Sequence, residues 1–195
     1  YGLLAYASSL DQIGPFGATV KDTATLLGAI CGIDPHDNTT STRPTEDFTA
    51  KLNAGVKGKV IGVPKEYFGE GLDAECKAAI EGMLGKLEAE GATLKEISLP
   101  HISYAVSSYY IIATAEASSN LSRYDGVRYG YRSKEARKLF DLYAKSRSEG
   151  FGKEVQRRIL LGSYVLSAGF YDAYYVQAQK VRRLITDDFT EAFKT

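Results

Sequence analysis

The chain has 195 residues, 44% hydrophobic and 25% charged with 19 glycines and 5 prolines, a make-up that excludes a disordered, fibrous or disulfide-rich chain. At this length roughly 70% of the unfolded surface can be buried, which suffices for a hydrophobic core. Net charge is zero but uneven: residues 1–119 carry 9 basic against 15 acidic side chains, and residues 120–195 carry 15 against 9.

Residues 1–18 are rich in Gly, Ala and Ser, and Gly14-Pro15 marks a turn, so they read as a loop or short strand. Thr19 and Asp22 have the spacing of a capping box. Leu26, Leu27 and Ile30 follow at helical intervals, which predicts a helix over about 20–31. Residues 32–55 hold Asp34-Pro35, Asn38 and Pro44 and read as a long surface connection. Lys59 to Val63 is a short apolar run closed by Pro64, which predicts a strand buried on both faces. Asp73 caps a helix whose Cys76, Ile80, Leu84 and Leu87 form one stripe, and residues 93–99 read as a second strand ended by Pro100. Strand, helix and strand in about 40 residues make a βαβ-type unit whose connection length permits parallel pairing.

From Ser103 onward the pattern is helical. Tyr104 to Ser122 carries small residues at Ala113, Ala117 and Ser118, as a closely packed helix does. A Gly, Tyr and Arg loop spans about 123–133. Helices are predicted over about 134–147, 151–168 and 170–193, the last with Tyr174, Ala178, Val181, Ile185 and Phe189 on one face. The chain is thus α/β in residues 1–100 and mainly helical in 101–195. Cys31 and Cys76 lie singly on apolar helix faces without metal-ligand spacing, which predicts buried, reduced thiols in a cytoplasmic protein. No apolar run approaches the ~20 residues of a bilayer span, so no membrane role is expected. The chain opens on Tyr1 and its single methionine is Met83, which points to a processed chain or an excised piece.

Few residues suggest chemistry on their own. His36 and His101 have no second ligand at metal spacing and are expected on the surface; no metal site is predicted. The chain contains no G-x-S-x-G elbow and no phosphate-binding glycine loop. Ser8-Ser9 with Lys21 does not make a Ser/Lys hydrolase, because Lys21 falls in the first turn of an amphipathic helix and no activating base or oxyanion site accompanies the serines. The basic C-terminal part, with 11 of the 14 tyrosines between Tyr104 and Tyr175, admits a surface for a nucleic acid or an acidic protein, or simply a solvated helical face. Arg158 stands out. In the run Lys153 to Ile159 it projects near the apolar stripe of its helix, where a guanidinium must be paired, either with an internal carboxylate or with a substrate carboxylate. Tyr109 and Tyr110 could offer a hydroxyl to the same pocket.

Several strings resemble those of the amidase-signature family, in its branch of glutaminase subunits from tRNA-dependent amidotransferases. They are Ala7-Ser-Ser-Leu-Asp-Gln-Ile-Gly-Pro15, Pro64-Lys-Glu-Tyr67, Glu116-Ala-Ser-Ser-Asn-Leu-Ser-Arg-Tyr-Asp-Gly126, Arg128-Tyr-Gly-Tyr131, Ser146 to Val155 and Tyr171-Asp-Ala-Tyr-Tyr175. The resemblance runs over the full chain. It implies a mixed sheet flanked by helices, of which residues 1–195 form part. It further implies hydrolysis of glutamine by a Ser, cis-Ser and Lys triad whose members all lie upstream of Tyr1, so no catalytic residue is expected in this chain. The ammonia would pass to a B subunit that uses ATP and Mg to amidate Glu-tRNA(Gln), with a small C subunit tying the assembly together; no cofactor is expected here. By the same resemblance Arg158 binds the glutamine carboxylate and Tyr109 contacts glutamine. A general amidase of the same family is the alternative.

Overall fold

A computed structural model describes residues 3–194. These residues divide into two compact units that interleave along the chain. None of their helices is long and apolar enough to cross a membrane.

The first unit comprises residues 12–63 and 70–96. Helix α1, Val20–Ile30, starts on the predicted capping box: the Thr19 hydroxyl accepts from the Asp22 backbone N–H, and the Asp22 carboxylate accepts from the Thr19 N–H. Two of the orphan donors of a helix start are thereby satisfied reciprocally. Strand β1, Val60–Pro64, helix α2, Ala74–Ala89, and strand β2, Thr93–Ile97, form the expected βαβ unit. The strands pair with each other in a two-stranded sheet. Gly58 N–H donates to Gly91 O and Thr93 N–H to Lys59 O, so the register advances in the same direction on both strands, as in a parallel pair.

Two expectations are corrected here. β1 is not buried on both faces; its residues alternate, and Val60 is exposed. Its apolar run has the composition of a covered strand, but β2 is its one strand neighbour among the described residues. Cys31 and Cys76 are free but exposed, not buried. Cys31 caps the end of α1 in an extended conformation, beyond the last helical turn, and neither α1 nor α2 buries any residue of its apolar stripe.

The second unit comprises residues 3–11, 64–69 and 97–194 of the described chain. Its centre is α3, Ala105–Asn120, which buries Ser108 and the run Ile112 to Ala115 together with Ala117. Around it lie α4, Leu139–Gly150, α5, Lys153–Val165, and α6, Gln177–Ala192. α3 packs principally on α5 and next on α6. The small residues predicted to allow close packing do so: a Cβ at Gly162 would overlap the Thr114 carbonyl oxygen. One step along the same crossing, the Ser118 and Ser163 hydroxyls bond at 2.9 Å.

The predicted helix over 134–147 begins at Leu139 instead. Buried Ser133 explains the delay. Its N–H donates to the Ser146 hydroxyl, its own hydroxyl donates to Glu149, and that hydroxyl accepts from Glu135 N–H. These side-chain bonds hold residues 133–135 out of helical register. The predicted helix over 170–193 is likewise divided, with a wide π-turn over Tyr171–Val176 before α6. Tyr164, Phe170 and Tyr174 cluster at this point, Tyr164 and Phe170 with ring centroids 4.2 Å apart.

Candidate substrate-binding site

Helix α5 starts at Gly152, whose extended backbone launches Lys153, and places Glu154 in the first turn, where a carboxylate complements the helix dipole. Arg158 follows one turn later. Its Nε donates to Glu154 Oε1 at 3.0 Å, and its Nη1 lies 3.4 Å from the Tyr6 hydroxyl. The side chain is 28% exposed. The Tyr6 and Glu154 contacts, in that order, push the guanidinium pKa further above its already high value, so it is cationic at every physiological pH. The Glu154 bond is charge-assisted and shorter; the Tyr6 contact fixes direction. Nη2 makes no hydrogen bond to another described residue, so its N–H groups remain as charged donors for a ligand carboxylate. Arg158 therefore has the internal carboxylate partner that its helical position required, and keeps donors for a ligand.

Tyr109 lies on α3, which packs on α5, but no hydrogen bond or cation-π contact joins it to Arg158 among the described residues. Its ring lies edge-on to Tyr110, centroids 5.3 Å apart, and both rings are about half exposed. The structure thus brings the two predicted residues onto adjoining helices without a hydrogen bond or cation-π contact between them among the described residues.

Tyr6 owes its place to a network that the sequence did not disclose. Asp11 accepts from the Tyr6 and Ala7 N–H groups, and Asn120 donates to Tyr6 O and to the Ser8 hydroxyl. Glu116 accepts from both the N–H and the hydroxyl of Ser9, and Arg182 donates to that hydroxyl at 2.8 Å. The 6–11 segment is pinned against α3 and α6, beside an open cleft of about 270 Å³ lined by Ser8, Glu116, Asn120, Tyr171 and Tyr175. No sequence signal reaches these pairs, because Ser9 and Glu116 stand 107 residues apart. Lys21 is exposed in the first turn of α1, consistent with setting aside the Ser8, Ser9 and Lys21 combination.

The histidines differ. His36 is exposed, as expected. His101 is not a simple surface residue: its backbone N–H donates to Asp188 Oδ2 and its Nδ1 lies 2.9 Å from Asp188 Oδ1. Burial would raise the Asp188 pKa, but the backbone and ring bonds of His101 outweigh it and hold the carboxyl below its usual range. No group of three or more potential metal ligands clusters among the described residues.

Characterised proteins share this fold. The amidase family model matches residues 1–195, and the chain belongs to the amidase family. Within that family it is 61% identical over 194 residues to the A subunit of glutamyl-tRNA(Gln) amidotransferase from Acidobacterium capsulatum, covering all of this chain and 41% of that protein. The crystal structure of the corresponding A subunit of glutamyl-tRNA(Gln) amidotransferase from Thermotoga maritima superposes with a TM-score of 0.71 at 40% identity, over 98% of this chain and 37% of that one. A peptide amidase from Stenotrophomonas maltophilia shares the fold more distantly, with a TM-score of 0.61 at 26% identity over 92% of this chain and 37% of that one. The chain spans about 40% of the length of the curated relatives it matches.

Proposed function

We propose that these residues form the substrate-holding part of the glutaminase subunit of a tRNA-dependent amidotransferase. The observation that carries the reading is the identity of 61% over the whole chain to the A subunit of such an enzyme. The reaction divides into two parts. A serine upstream of Tyr1, activated by a cis-peptide serine and a lysine, attacks the side-chain amide of glutamine, ammonia leaves, and water releases glutamate. The residues of this chain bind and orient: Arg158 clamps the α-carboxylate through its free Nη2 edge, and Tyr109 contacts glutamine from α3. Holding the distant carboxylate fixes the amide carbon in range of the nucleophile, so binding energy is converted into orientation. The ammonia passes to the B subunit, which uses ATP and Mg to amidate Glu-tRNA(Gln), with the C subunit completing a cytoplasmic assembly.

The experiment is steady-state ammonia release from glutamine by the full-length protein in its assembled complex. Arg158→Ala is expected to raise the glutamine KM about 10- to 100-fold, the loss of a charge-assisted hydrogen bond. An unchanged KM refutes the assignment. The shared fold with a peptide amidase supports one competing reading, a general amidase. Efficient turnover of simple amides without Glu-tRNA or the partner subunits would favour it.

A further inference from the structure

Arg158 reaches solvent on a long side chain with many rotamers, yet a carboxylate clamp must present its fork in one orientation. Two groups fix it. Glu154 takes the Nε–H at 3.0 Å from the position four residues earlier, the more favourable order for an acid and base pair on a helix. Tyr6, itself held by Asp11 and Asn120, stands at Nη1. The other oxygen of Glu154 accepts from Arg157 Nη1 at 2.8 Å, an exposed contact separate from the Oε1 that holds Arg158.

We infer that Glu154 is a positioning residue for substrate binding: it holds the Arg158 guanidinium with its Nη2 edge open and so lowers the ordering cost of capturing the glutamine carboxylate. This inference rests on the assignment of Arg158 as the glutamine-carboxylate clamp. Preorganisation of this kind strengthens binding of the group clamped, and leaves the chemistry at the distant amide unaltered. The effect of removing Glu154 must therefore appear in KM for substrates that carry the α-carboxylate. A helix-stabilising role for Glu154 at the start of α5 would instead change stability without distinguishing substrates.

The test uses the full-length protein in its complex, with glutamine and with a glutamine analogue whose α-carboxylate is replaced by a carboxamide. Glu154→Ala is expected to raise the glutamine KM roughly 2- to 10-fold, the range of one hydrogen bond, with kcat within about twofold and with no change in KM for the carboxamide. Glu154→Gln retains an acceptor for the Nε–H and recovers part of the loss. Tyr6→Phe, which keeps the ring, produces a smaller rise of the same kind. Arg157→Ala leaves both KM values unaltered. The inference is overturned if Arg158→Ala raises KM while Glu154→Ala and Glu154→Gln do not, if both substrates are affected equally, or if Arg157→Ala reproduces the effect. Failure of Arg158→Ala itself to raise KM refutes the clamp, a separate result.

Discussion

The backbone of α5 at Gly162 lies against the carbonyl of Thr114 on α3, so close that a methyl group there would overlap the oxygen. This contact sets the crossing of the two helices that carry Tyr109 and Arg158. Gly162→Ala must push the helices apart or bend one of them. It is expected to destabilise the full-length protein by at least about 3 kcal/mol, at the upper end for overpacked cores, read as a fall in the urea midpoint. A variant as stable as the parent would show that the crossing is looser than the geometry requires.

Asp188 and His101 provide a pH-dependent tie between α6 and the turn preceding α3. The Asp188 pKa is lowered in the fold, so its contribution is present above the unfolded carboxyl value near 4 and is lost as pH falls through the depressed folded value. Asp188→Asn removes that dependence. The parent should lose more stability than Asp188→Asn between about pH 5 and pH 2, in denaturation curves recorded at a series of pH values. Parallel curves for the two would contradict the pairing.

Arg147 closes the end of α3. Its Nη1 donates to the carbonyls of Leu121 and Tyr124, both at 3.0 Å, while its guanidinium stands over the Phe151 ring, 5.1 Å from the centroid. A lysine offers a point charge without the planar stack, so Arg147→Lys is expected to cost about 1–3 kcal/mol. Thermal denaturation of the two proteins checks it, and equal melting temperatures would show the stack to be dispensable.

Much of the local structure was legible. Thr19 and Asp22 announced the start of α1 because a capping box is a contact between residues three apart. The strand, helix and strand from β1 to β2 followed from periodicity and from Pro64, Asp73 and Pro100. The small residues Ala113, Ala117 and Ser118 announced that α3 packs closely on a neighbour, since an interface that brings backbones together admits no large side chain; that the neighbour is α5 at Gly162 was not legible. Arg158 was legible as an arginine in need of a partner, because its helical phase sets it near an apolar stripe. The late start of α4 was not legible: Ser133 looks like an ordinary polar residue until Ser146 and Glu149 are folded against it. The exposure of Cys31 and Cys76 was not legible either, since an apolar stripe in sequence does not say whether a neighbour covers it.

The sequence by itself determined the helices, the βαβ unit, the family resemblance and the presence of an arginine suited to a carboxylate. All of these rest on short-range spacing or on strings of adjacent residues. Only the tertiary structure decided what surrounds that arginine on its far side. Tyr6 meets Arg158 across 152 residues, and Ser9 meets Glu116 and Arg182 across 107 and 173. Hydrogen bonds over such separations leave no periodic trace in a single chain. They exist because packing of α3 against α5 and α6 brings polar groups from distant parts of the chain within bonding distance of one another.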